Sequence, residues 1–232
     1  MCFLISTAQA EDLFDQANAY YTEGQFEEAV QAYETILQKN GPQIGVLQNL
    51  GSAYYSLGDN ARAILSFERA LLLKPSDADL LANLKLAQDE AAVFPAEKEE
   101  SRQTFLEYFS SQKWSELGLA SAFLLPVLAV VWVLSSRKNR WISMALAGCS
   151  LVILGVSMYA LSIRGNDVKR GIVLEASTEV KVSPFTQSEA RSTLAAGREV
   201  RLGKAEGEYL WVTGEVEGWV HKASLARVIP QE

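Results

Sequence analysis

The side chains able to do covalent or acid–base chemistry are few, and their spacing does not favour catalysis. There is one histidine, His221, and there are two cysteines, Cys2 and Cys149. A nucleophile–base pair would have to use His221, and no nucleophile motif lies near it. The carboxylate runs Glu27-Glu28 and Glu99-Glu100 read as solvated helix faces rather than as an acid/base pair. No glycine-rich phosphate loop is present. A lone histidine gives a transition metal almost nothing to build on. The expectation is a non-enzyme with no cofactor and no metal site. What remains is recognition chemistry. One set is amides, hydroxyls and phenols able to hold a peptide: Asn18, Tyr21, Gln48, Asn49, Ser52 and Tyr55, with Phe14 and Asn83 beside them. The second is aromatic: Tyr209, Trp211 and Trp219.

The first set sits in an internal repeat. Leu13, Tyr20, Gly24, Ala29 and Tyr33 recur as Leu47, Tyr54, Gly58, Ala63 and Phe67, an offset of 34 residues. That is the period of the tetratricopeptide repeat (TPR), two helices joined by a turn. The second copy adds Leu50-Gly51, Ala70 and Pro75. Gly51 and Ala63 are small where helices approach, and Tyr54 and Phe67 are large where the pair must be filled. A third first-helix, from Asp77 to about Val93, carries Leu81 and Leu84 one period after Leu47 and Leu50. It reads as the capping helix of a short solenoid. So small an array is marginal by stacking alone, which predicts packing against something else.

By resemblance to TPR proteins, the first helices line a concave groove, and Asn18 and Asn49 match asparagines that hold a peptide backbone. Phe14, Asp79 and Asn83 stand where the carboxylate-clamp subclass has cations, so a partner's C-terminal carboxylate is not expected. The alternative is that the asparagines only solvate the groove.

Charge excludes one class of partner. The net charge is −7. From Glu11 to Lys113 there are 17 acidic and 8 basic residues, a balance of −9, while Arg164 onward has 10 of each. Nucleic acid is not an expected partner, because it wants a concentrated basic face.

Two apolar runs, Trp114–Leu134 and Trp141–Ile163, have the length that a bilayer core demands. Residues 135–140 between them carry Arg137, Lys138 and Arg140 without an acid, which predicts a cytoplasmic loop. Both flanking regions would then face outward. Residues 1–10 place Phe3-Leu4-Ile5 before Ala8-Gln9-Ala10, the pattern of a signal-peptide remnant cleaved after Ala10. Transport is not expected, since Glu116 near one edge is the only acid or base inside the spans. Gly148 and Gly155 are candidates for close helix packing. Residues 94–113 read as a linker or an interfacial helix.

From residue 168 the pattern changes to short alternating strands marked by Gly197, Gly203, Gly207, Gly214 and Gly218. About 60 residues of this kind predict a small all-β barrel. Val180-Lys181-Val182-Ser183-Pro184, Thr193-Leu194, Ala196-Gly197, Tyr209-Leu210-Trp211-Val212 and Gly218-Trp219-Val220 resemble a bacterial SH3-like domain. Such domains often bind cell-wall peptides. Tyr209, Trp211 and Trp219 would form an aromatic groove, or else fill the core.

The expected architecture is a multidomain membrane protein: signal remnant 1–10, TPR solenoid with cap 11–93, linker 94–113, transmembrane helical hairpin 114–163 and SH3-like domain 168–232. This order, with the repeat Leu47–Pro75 and the following Asn83-Leu84-Lys85-Leu86-Ala87, resembles the BatE-like proteins of bacterial aerotolerance operons. The resemblance implies an envelope complex in the inner membrane, with both soluble domains periplasmic. It implies neighbours that are membrane proteins with von Willebrand A domains, and a MoxR-type ATPase. The leading expectation is an interaction scaffold acting through the TPR groove. The alternative is a peptidoglycan sensor acting through the SH3-like domain.

Overall fold

The computed structural model describes residues 2–93, 110–136, 140–164 and 169–230. Most of the expected linker, and positions 137–139 of the expected loop, lie outside the described residues. The chain forms two units: residues 1–100 with 167–232, and residues 101–166.

The first unit begins with five helices, α1 (Cys2–Thr22), α2 (Phe26–Asn40), α3 (Ile44–Ser56), α4 (Asn60–Leu73) and α5 (Ala78–Glu90). Helix α1 runs unbroken across Ala10, the expected cleavage point. The turns between paired helices fall on Gly24 and Gly58, at φ +78° and +77°. Only glycine enters this left-handed region without cost, so the repeat conserves its own turn chemistry. Helices α2, α4 and α5 carry start signals, whereas α3 has neither a side-chain cap nor an acid in its first turn. Asp59 caps α4 by accepting from the Arg62 N–H at 3.1 Å. Asp77 caps α5 by accepting from the N–H groups of Asp79 and Leu80, both at 3.1 Å. Glu27 and Glu28 occupy the first turn of α2, where negative charge meets the positive end of the helix dipole.

Packing follows the repeat. Ala17, Ala29, Tyr33, Leu47, Leu50, Ala63, Phe67, Leu80 and Leu84 form one buried cluster. Gly51 is small for a visible reason: a β-carbon there would lie 2.6 Å from the Phe67 ring. The cap is incomplete on one side. Leu47 is 2 % exposed, whereas Leu81, one period later, is 47 % exposed because no partner helix covers it among the described residues.

The same unit contains seven strands: β1 (Arg170–Val173), β2 (Thr178–Lys181), β3 (Ala190–Leu194), β4 (Glu199–Glu206), β5 (Tyr209–Thr213), β6 (Gly218–His221) and β7 (Leu225–Arg227). They make one antiparallel sheet in the order β3-β2-β6-β5-β4-β1-β7, with β3 and β7 at its edges. Alternation sends Val173, Val180, Val200, Leu202, Leu210, Val212 and Val220 into a second buried cluster. Gly218 admits this packing, because a β-carbon there would lie 2.5 Å from Val180.

Strand β1 is buried on both faces. Val173 enters the sheet's own core, while Ile172, one residue earlier, joins the helical core together with Val228. The solenoid and the sheet therefore share a core, which is the extra packing that so short an array requires. Polar contacts fix the junction. Arg170 Nη2 meets Glu68 of α4 at 2.6 Å, and its Nε meets Glu199 at 2.7 Å. Arg69 donates to the carbonyl oxygens of Arg227 and Val228 at 2.9 and 3.2 Å. Gly197, at φ +83°, brings its turn against α4, where a β-carbon would lie 2.9 Å from Ile64.

The second unit holds α6 (Ser111–Leu134) and α7 (Arg140–Arg164). Both are long and apolar enough to cross a membrane, with mean hydropathy 2.5 and 2.0. Their buried positions, Trp114, Gly118, Ser121 and Leu128 against Ser143, Ser150, Ser157 and Ala160, recur at heptad spacing. Gly148 and Gly155 do not lie in this seam: a β-carbon on either would meet nothing within 4 Å. Gly118 takes the close-approach role instead, 3.3 Å from Ser157 by the same measure.

Candidate functional site

The groove residues come from α1, α3 and α5, the three first helices. The structure brings Asn18 and Asn49 together, but largely for each other. Asn18 Oδ1 accepts from Asn49 Nδ2 at 2.9 Å and from the buried Tyr33 hydroxyl at 2.6 Å. Half of this amide pair is thus spent on joining α1, α2 and α3. Tyr21 is half-buried and packs edge-on against Phe26, with ring centroids 5.4 Å apart. Gln48, Ser52, Tyr55 and Asn83 are half-buried too, and the Ser52 hydroxyl donates back to the Gln48 carbonyl at 3.1 Å. Phe14 is drawn toward the core, tilted against Tyr33 at 6.1 Å. Tyr21 and Tyr55 recur at one repeat position, and both are half-buried.

The repeat's filler residues carry electrostatics that sequence reasoning passed over. The Tyr54 hydroxyl donates to Glu34 at 2.5 Å. Burial, then that carboxylate, push the phenol well above its ordinary pKa, so it stays a donor. Arg170 shows the opposite balance: burial works against its charge, but Glu68 and Glu199 outweigh it and hold the guanidinium firmly protonated.

A model of the tetratricopeptide repeat family matches residues 14–78. That range begins in the groove half of α1 and ends at the start of α5, and it takes in seven of the eight groove positions, from Phe14 as its first residue to Tyr55, leaving out Asn83. No curated protein matches the chain. Repeats of this kind suggest protein–protein interaction.

The aromatic set lies on the sheet. Register pairs Tyr209 with His221 and Trp211 with Trp219 across β5 and β6. Leu210, Val212 and Val220 point into the sheet's core, so by alternation the aromatics stand on its other face. They cover one another there: Trp211 and Trp219 meet edge-on at 5.4 Å, and Tyr209 and His221 at 5.3 Å. Lys204 lies 5.1 Å over the Trp219 ring. Trp219 and Tyr209 are nevertheless buried, and only Trp211 is half-exposed. An open cavity of about 390 Å³ adjoins Tyr209 and His221, bordered by Glu175, Ser177, Thr178 and Ser224. His221 Nδ1 accepts from the Ala223 N–H at 3.3 Å, so in the neutral ring Nε2 carries the proton. His221 is exposed, as its place after the Gly-Trp-Val strand suggests, and its cross-strand register with Tyr209 sets it beside this cavity.

Proposed function

We propose that the chain is a membrane-anchored, non-enzymatic scaffold that holds a segment of a partner protein in its TPR groove. The observation that carries this reading is the repeat match over residues 14–78 with Tyr21, Gln48, Ser52 and Tyr55 left half-exposed along the groove. The partner segment is basic. Residues 12–93 hold 12 acidic and 5 basic side chains. Three of those five are already engaged: Arg62 with Asp59, Lys74 with Asp77, and Arg69 with backbone carbonyls. Complementary charge steers such a segment to the groove.

The hairpin of α6 and α7 is the membrane anchor. Chain from both sides of it forms one unit, which favours both ends opening on the same side of the bilayer. The cationic loop, with Arg140 stacked at 5.1 Å on Trp132, favours the cytoplasmic side for residues 135–140. Both soluble parts are then periplasmic. With the likeness to BatE-like proteins, this makes a von Willebrand A membrane protein of an aerotolerance-type envelope complex the partner to try first. Replacing Tyr55 with alanine in the full chain should reduce co-purification of that partner about tenfold, a loss typical of a buried aromatic anchor. Unchanged co-purification would count against the groove.

A second reading rests on the cavity beside Tyr209 and His221. If the sheet is the SH3-like domain its motifs suggest, this cavity is where a cell-wall peptide would sit. The full chain should then sediment with purified peptidoglycan, and His221→Ala should release it. No sedimentation leaves the sheet as a packing partner of the repeats alone.

A further inference from the structure

A second cavity, of about 360 Å³, opens where α4 meets the sheet. Its floor is apolar, built by Leu202, Leu210 and Leu225, and three cations stand around it: Arg69, Lys222 and Arg227. No carboxylate lines it among the described residues. This is unusual in a chain of net charge −7. Among the described residues none of the three cations is in a direct ion pair, although the Glu34 carboxylate acts on Arg69 from a distance without outweighing its burial. Arg69 donates only to the carbonyl oxygens of Arg227 and Val228, and Lys222 Nζ donates to the Gly207 carbonyl at 2.5 Å. The Arg227 side chain has no hydrogen-bond or ion-pair partner among the described residues.

Carbonyl oxygens satisfy donors but leave the positive charge in place. A half-buried guanidinium held this way retains a desolvation cost that an anion would offset. Burial accordingly holds the Arg69 pKa below its ordinary value. The apolar floor asks for a second property in the same ligand. Cavities for small molecules run from roughly 300 to 1,000 Å³, so this one takes a single acyl tail and not a folded partner. We propose that the cavity bound by Arg69, Lys222 and Arg227 takes a single-chain anionic lipid, with its carboxylate or phosphate on the cations and its tail on Leu202, Leu210 and Leu225. The two sources of that chemistry are a free long-chain fatty acid and a lysophosphatidate.

The test uses the full chain in phosphatidylcholine nanodiscs with a photoactivatable long-chain fatty acid. Labelling should concentrate on the peptide containing β7. Oleate or oleoyl-lysophosphatidate should compete, and the one effective at lower concentration identifies the source. Methyl oleate, which lacks the charge, and acetate, which lacks the tail, should not compete. The variant Lys222→Gln/Arg227→Gln should lower labelling about tenfold or more, the effect of losing charge-assisted hydrogen bonds. Where that variant fails to fold, Arg227→Gln alone is read, since its side chain bonds nothing else. Competition by methyl oleate equal to that by oleate, labelling unchanged in the variants, or label confined to α6 and α7 would each overturn the proposal.

Discussion

The junction between the repeats and the sheet and the seam between α6 and α7 do the same job with opposite means. The first buries Ile172 and Val228 among helical residues and encloses an ion pair, with Arg170 and Glu68 side chains only 14 % and 10 % exposed. The second buries no charged side chain among the described residues and is built from glycine, serine and alanine around Trp114 and Leu128. In water, burying apolar surface drives association, and a charged pair can be enclosed where each partner satisfies the other. Among apolar surroundings burial of apolar surface gains nothing, so close approach of small residues must hold two helices. An enclosed ion pair suits a unit built for water, and a seam of small residues suits one built for an apolar solvent.

Breaking the ion pair should give the largest effect. Arg170→Ala leaves Glu68 buried without its partner, and should cost about 3–5 kcal/mol in denaturant unfolding of the full chain. Replacing both, as Arg170→Met with Glu68→Leu, should recover most of that, because an apolar pair of similar volume suits the site. Gly197→Ala should come next, at about 1–3 kcal/mol, since it forces a side chain into the left-handed region and against Ile64. In the hairpin, Gly118→Leu should lower thermal stability in micelles by about 1–3 kcal/mol through overpacking against Ser157. Gly148→Leu should stay within about 0.5 kcal/mol, having open space around it.

The smallest effect concerns pH. The Lys74 ammonium, at 2.7 Å, and the backbone N–H groups of α5 hold the Asp77 carboxyl below its usual range. A depressed folded pKa means that the stabilisation is fully present above the unfolded value of about 4 and is lost as pH falls through the folded value. Asp77→Asn keeps a cap but should remove that acid-side loss, visible as a flatter unfolding profile below about pH 4.

The repeat was legible in the sequence because its physics is local and periodic. Glycine at the turns, small residues at crossings and a 34-residue offset each report one constraint. The apolar spans were legible by length for the same reason. The seam inside them was not: Gly148 and Gly155 are as small as Gly118, and only helix rotation decides which faces inward. Strand content was legible from alternation, but the face of Tyr209, Trp211 and Trp219 depended on the β5–β6 register. The junction was foreseen only as a need. Glu68 and Arg170 are 102 residues apart with the hairpin between them, and no periodicity links them. The commitment of Asn18 to Asn49 and Tyr33 was likewise hidden, since a groove asparagine and an interhelical one look alike in sequence.

The central claim is that chain from both sides of the hairpin folds as one unit. A double-mutant cycle on Glu68 and Arg170, in the full chain, tests it most directly. The claim predicts a coupling of about 1–3 kcal/mol between Glu68→Gln and Arg170→Met, as for residues in direct contact. Additive effects, with coupling below about 0.3 kcal/mol, would contradict it and return the repeats and the sheet to independent domains.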